Sequence, residues 1–220
     1  MKIWIVTVLI VFGSVISVSS TEPEKKLNTA ENANYLTPLE KEVVYEINLF
    51  RSNPAKYAEE FIAPLAKYYE GRILHYPGDI AIKTNEGVGA LYECVRELKK
   101  ARSLDILQPS EALSLAAGDH QKDQENTGNT GHSGSDRSDL KIRIERYGSW
   151  QDRIAENIAY GNTSARQIVI FLLIDDGVKN RGHRTNLLHP AFKNVGIACG
   201  KHPVYRTMCV MDFAGGIIKK

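Results

Sequence analysis

"SARQIVIFLLIDDG", residues 164–177, holds the stretch whose reading decides the fold. Its apolar run, "IVIFLLI" at 168–174, fits a buried strand or a buried helix equally well, because neither an alternating nor a helical period is visible within it. Ser164 and Gln167 stand at the spacing of a helical capping box, which favours helix. Downstream, "VGIACG" and "TMCVMDFA" have strand character around "KHPVYR", giving strands at about 194–199 and 206–213. Upstream, "RIAENIAYG" at 153–161 alternates well enough to be another strand. A helix set among strands of this kind predicts an α+β chain with helices covering a mainly antiparallel sheet, rather than a doubly wound parallel one.

Further helices precede these strands. "TPLE" at 37–40 supplies a capping threonine, a proline at the first helical position and a glutamate at the third, and Leu39, Val43, Ile47 and Phe50 follow at helical spacing. Asn53 and Pro54 restart a helix that Pro64 should end or bend. Residues 71–89 read as a long loop with a strand fragment, and Val88, Leu91, Val95 and Leu98 restore a helical face through about Ser103. Ser110 caps a helix to about residue 126, a glycine-rich loop follows, and a short helix over about 138–147 ends at Gly148.

Residues 1–20 set the expected compartment. Lys2, the apolar stretch at 3–18 and small residues at Ser17, Ser19 and Ser20 read as a secretory signal. An uncleaved anchor is the alternative, but the run is shorter than the roughly 20 apolar residues of a comfortable span and contains Gly13, Ser14 and Ser17. Removing it leaves 27 basic against 26 acidic residues, a balance with no basic stripe for nucleic acid. Residues 21–36 are polar and read as a loose N-terminal arm, and 37–220 as one domain, expected to be monomeric. If Val195 faces Phe213 in the terminal hairpin, Cys199 faces Cys209, so a cross-strand disulfide is expected in an oxidising compartment. A bridge from Cys94 to either of them is the alternative.

Three segments, "GHSGSD", "AENIAYG" and "DDGVKNRGHR", place ionisable groups beside small residues. Their leading candidates are His132, Glu156, Asp175 and His183. With "AAGDHQKDQENTGNTGHSGSD", "RGHRTNLLHPAFKNVGIACG" and "MCVMDFAG", these segments resemble the CAP superfamily, the SCP domain shared by cysteine-rich secretory proteins, antigen 5 and plant pathogenesis-related 1 proteins. The likeness runs from about Thr37 to Ile217 and is closer to bacterial and protist members. It implies a three-layer α-β-α sandwich with two histidines and two acids facing a cleft, at His132, Glu156, Asp175 and His183. Asp175 stands where a glutamate is common, so its shorter carboxylate is expected to need a water to reach whatever the other groups hold. Asp176 is the alternative second acid.

Two imidazoles and two carboxylates match the donors of open zinc sites, with magnesium or calcium as less specific alternatives. The plainer reading is that the four groups hydrogen-bond loops onto the sheet. His120 falls on the apolar side of its helix and reads as a satisfied core histidine, and Arg184 as a clamp on a carboxylate in or near the cleft. "NTS" at 162–164 makes Asn162 a glycosylation acceptor in a secreted chain. No "GxSxG" or "HExxH" is present, so covalent hydrolysis has little support. The resemblance implies a secreted non-enzymatic module, with sterol or another lipid in a separate groove. A metal-dependent extracellular hydrolase and a protein-interaction or signalling module are the alternatives.

Overall fold

The structure is a computed structural model and describes residues 26–220; the expected signal at 1–20 and the start of the expected arm lie outside the described residues. Thr37 and Glu40 close the capping box reciprocally, the Glu40 carboxylate accepting the Thr37 N–H at 2.7 Å and the Thr37 hydroxyl accepting the Glu40 N–H at 3.4 Å. Helix α1, Pro38–Ser52, starts there and buries Val43, Val44, Ile47 and Phe50. Asn53 caps the short α2, Pro54–Tyr57, after which the backbone widens into a π turn over Ala58–Ile62 and tightens into a 3-10 turn over Ala63–Tyr68. Pro64 has no N–H to continue an α ladder, so the expected bend takes the form of a change in helical pitch.

The expected loop over 71–89 is more ordered than its composition indicated. Strands β1 (Tyr69–Glu70), β2 (Ile73–Leu74) and β3 (Ile82–Lys83) form a small antiparallel sheet before α3, Val88–Leu98. After β4, Gln108–Pro109, Ser110 caps α4, Glu111–Thr127, and Asp139 caps α5, Leu140–Tyr147. Strand β5, Gly148–Tyr160, leads to α6, Ala165–Ile174, so the ambiguous apolar run is helical. Its cap is half of the expected box: Ser164 accepts the Gln167 N–H, while the Gln167 side chain takes the N–H of Thr163. A short α7, Gly182–Leu187, and the strands β6, Asn194–His202, and β7, Arg206–Lys219, complete the chain.

The main sheet has the order β4-β6-β7-β5, antiparallel except for the β4–β6 pair, so β5 forms one border. Alternation divides its side chains between two helical layers. Val195, Ile197, Met211 and Phe213 join the core with α1, α3 and α6, whereas Ala198 and Val210 pack with Ala117 of α4, and Ala214 with Leu113 of α4 and Ile144 of α5. The close approach of α4 requires glycine at 196, since a Cβ there would lie 2.1 Å from the Leu113 carbonyl carbon. The result is the three-layer α-β-α arrangement.

In the β6–β7 ladder Val195 pairs with Phe213 and Cys199 with Cys209, and the two cysteines are disulfide-bonded. Cys94 is a buried free thiol, its pKa pushed up to about 12 mainly by burial. The described part of the expected loose arm, from residue 26 on, is instead packed. Ala30, Ala33 and Leu36 are buried, Thr29 donates to the Leu107 carbonyl at 2.8 Å, and the Asn48 amide donates to the Leu27 carbonyl at 3.1 Å. Asn48 itself is fully buried in α1, and the arm supplies acceptors that its amide needs.

Candidate functional site

The loop carrying His132 is pinned at the residue before it. The Gly131 carbonyl meets His120 Nε2 at 2.8 Å and accepts from the Gln124 amide at 2.6 Å, both on α4, while the Gly131 N–H donates to the Tyr160 hydroxyl of β5 at 3.0 Å. His120 is therefore a buried framework residue, as expected, although its Nδ1 has no partner among the described residues. Burial lowers its pKa.

From this anchor His132 presents Nδ1 to Glu156 Oε1 at 2.8 Å. Glu156 is buried, and its other oxygen accepts from Arg143 Nη2 at 2.7 Å. Arg143, buried on α5, also donates to the carbonyls of His132 and Ser138, so one guanidinium fixes both the acid and the loop. Burial pushes the Glu156 pKa upward, but the His132 bond and the Arg143 charge outweigh it and hold the acid below its ordinary range.

Directly opposite Glu156 in the ladder stands Asp212, fully buried, with neither carboxylate oxygen hydrogen-bonded among the described residues. Burial first, and the Glu156 charge second, raise its pKa well above the usual carboxylate value. Burial without a hydrogen-bond partner, beside the Glu156 carboxylate, disfavours the charged form of Asp212.

His183 is held from the other side of the sheet. Asp175 ends α6 in the left-handed conformation, φ 55°, and is buried. Its Oδ2 accepts the His183 N–H at 2.9 Å and its Oδ1 meets His183 Nδ1 at 2.7 Å. The shorter aspartate thus reaches its histidine directly. The turn between them depends on left-handed backbone at Asp175, Gly177 and Arg181 rather than at Gly182, which opens α7. The acid that pairs with His183 is Asp175, while the Asp176 carboxylate accepts the N–H groups of Asn85 and Glu86 at 2.5 and 2.8 Å.

The two pairs flank the border strand β5. Glu156 belongs to the α4–α5 side, whereas the next residue, Asn157, points to the opposite side and donates to the His183 carbonyl at 3.0 Å. Asn186 of α7 closes the bridge by donating to Asn157 Oδ1 at 2.9 Å. The sequence candidates are therefore placed as two histidine–acid pairs. Among the described residues, no three histidine, cysteine, aspartate or glutamate side chains form a group able to hold a metal ion.

This arrangement tests the metal expectation on donor chemistry. Each of the four carboxylate oxygens accepts a hydrogen bond, so the acids serve first to orient their partners. The imidazoles do fit: with Nδ1–H donated to a carboxylate, each leaves Nε2 as a lone-pair donor, and carboxylates behind imidazoles are a common support for metal-binding histidines. A cavity of about 270 Å³ adjoins His183 and Asp175 and has apolar walls including Leu74, Ile82, Phe171 and Leu172.

Arg184 does clamp a carboxylate, but the acid is Glu93 of α3, at 3.0 and 2.6 Å, outside the expected set. Asn162 is largely buried, and its backbone carbonyl accepts from the Thr207 hydroxyl at 2.8 Å. Arg143 and Asp212 went unread in the sequence, although both leave a signal. Arg143 interrupts the apolar stripe of Leu140, Ile144 and Tyr147, and Asp212 is an acid within an otherwise apolar strand.

The family model described as cysteine-rich secretory protein family, CAP, matches residues 44–213. Among solved structures, the chain is similar to an extracellular SCP-domain protein of Bacillus anthracis strain Ames, with 24% identity and a TM-score of 0.42. That match covers 50% of this chain and 34% of the Bacillus chain, so the chain corresponds to about a third of that protein. It is also similar to an outer surface protein of Borrelia burgdorferi, at 18% identity and TM-score 0.45, covering 66% of this chain and 98% of the other. No curated protein sequence matches. With the family model spanning most of its length, the chain belongs to the CAP, or cysteine-rich secretory protein, family.

Proposed function

We propose that this CAP domain is a secreted, non-enzymatic binding module that holds a divalent cation through Nε2 of His132 and His183 and carries a sterol or other lipid in a separate groove. The observation that carries the metal reading is the pairing of each Nδ1 with a buried carboxylate, which selects the tautomer a cation requires. Zinc is favoured over magnesium or calcium because the available donors are nitrogens. Glu156 and Asp175 would orient the imidazoles, not ligate. For the lipid, support comes from a cavity of about 680 Å³ lined by Leu49, Tyr57 and Phe61, with Lys56 and Arg166 among its polar groups. Neither histidine lines it. Secretion is supported by the signal-like residues 1–20 and by the extracellular and outer-surface descriptions of the similar proteins.

Native mass spectrometry of the secreted protein, with and without added zinc, tests the reading. The expected result is a zinc adduct lost in the double variant His132→Ala/His183→Ala, with a co-purified lipid retained in both. Zinc binding should weaken in acid, because protons compete for the same nitrogens. A metal-dependent peptide- or ester-cleaving activity that disappears with the two histidines would replace this reading with that of a hydrolase. Absence of both adducts would leave a protein-interaction role.

A further inference from the structure

Ile80, Val204 and Tyr205 are exposed by 62%, 67% and 46%. Singly, exposed apolar side chains are unremarkable; these three line the rim of one concavity of about 390 Å³, together with Ile82, Tyr160 and Phe171. Ile82, Tyr160 and Phe171 also line the cavity beside His183, so the patch continues into the molecule.

The tip that displays Val204 and Tyr205 is rigid. The N–H groups of both residues donate to His202 Nδ1 at 3.2 Å, and His202 Nε2 meets the Asn129 carbonyl at 3.0 Å. This satisfies the imidazole in its neutral form. The Tyr205 ring packs on those of Tyr160 and His202, with centroids 5.2 Å away in each case. Folding therefore fixes apolar groups outward without burying them.

Charge narrows the partner. Lys201 and Arg206 are exposed on the two strands that enter and leave the tip; Arg206 lines the concavity with Asp79, whose pKa is lowered mainly by the Gln167 amide and further by the Arg206 charge, and Lys201 has no ion pair among the described residues. The acid at the rim, Asp79, is engaged by the Gln167 amide and the Ile80 N–H, both at 2.7 Å. Apolar side chains flanked by cations match the surface of an anionic bilayer, where the apolar groups enter the headgroup boundary and the basic ones meet lipid phosphates and carboxylates.

We infer that the β6–β7 tip, with Ile80 beside it, is a membrane-docking surface selective for anionic lipid. This surface adjoins the cavity beside His183 and shares no lining residue with the groove lined by Tyr57 and Phe61.

The test is cosedimentation of the purified secreted protein with vesicles of phosphatidylcholine alone or containing about one third phosphatidylserine. Wild type should sediment with the phosphatidylserine vesicles and much less with phosphatidylcholine alone. Ile80→Asp/Val204→Asp should lower the bound fraction about tenfold, and the milder Val204→Ser should lower it in the same direction. Lys201→Gln/Arg206→Gln should abolish the preference for phosphatidylserine. Ile142→Asp/Ile218→Asp, at exposed apolar positions elsewhere, should bind like wild type. The inference is overturned if wild type stays in the supernatant, if Val204→Ser binds undiminished, or if the Ile142/Ile218 control loses as much binding as the tip variants.

Discussion

Glu156 and Asp212 face each other across adjacent antiparallel strands, both buried, and of these two acids the guanidinium of Arg143 bonds only Glu156. The two carboxyl groups are consequently driven in opposite directions, Glu156 toward the charged form and Asp212 toward the neutral one. This divergence has measurable consequences for stability.

Asp212→Asn should keep the fold, because the amide has the shape of the protonated acid. In wild type the folded pKa of Asp212 lies above its unfolded value, so the native state binds the extra proton. Its contribution is fully present below about pH 4 and is lost as pH climbs toward the raised folded value, with a slope of about 1 kcal/mol per pH unit for one proton. Urea titrations from mildly acidic to mildly alkaline pH should show that slope in wild type and its removal in Asp212→Asn. Identical pH profiles would mean that Asp212 is charged in the native state.

Arg143→Gln should destabilise by about 3–5 kcal/mol at neutral pH, since it leaves Glu156 buried without its cation. Glu156→Gln made in that background should recover part of the loss. Denaturant unfolding of both single variants and the double variant gives the coupling directly. Additive effects would show that the pair is not energetically linked.

Gly196→Ala should cost about 1–3 kcal/mol, because the added methyl meets the α4 backbone rather than a side chain that could swing aside. The loss should appear in the thermal midpoint. Gly131→Ala, by contrast, meets no neighbouring atom and is disfavoured only by its φ of 94°.

A thiol reagent at neutral pH should find Cys94 unreactive in the folded protein and one reactive thiol in denaturant. After reduction, the unfolded chain should titrate as three. Rapid labelling under native conditions would contradict the burial of Cys94.

Much of the fold was legible because the decisive signals were local. Thr37, Pro38 and Glu40 specify a helix start through bonds within four residues, and once Val195 is set opposite Phe213 the spacing brings Cys199 opposite Cys209. Residues 26–36 were misread because their order comes from Asn48 and Leu107, partners distant in sequence that composition does not reveal. At the site, the pairing of His183 with Asp175 was readable because only a tight turn separates them. The partners of Glu156, by contrast, come from α5 and from the neighbouring strand, so Arg143 and Asp212 gain their meaning only once tertiary packing joins those segments. The same holds for Arg184, whose acid lies on α3.

The border strand β5 separates the surroundings of the two imidazoles as a party wall separates adjoining rooms. His132 takes its support from helices packed on one side of the sheet, His183 from the end of a helix on the other, with Asn157 as the doorway between them. Either imidazole could therefore be retuned by substitutions in its own layer while its counterpart kept every hydrogen bond.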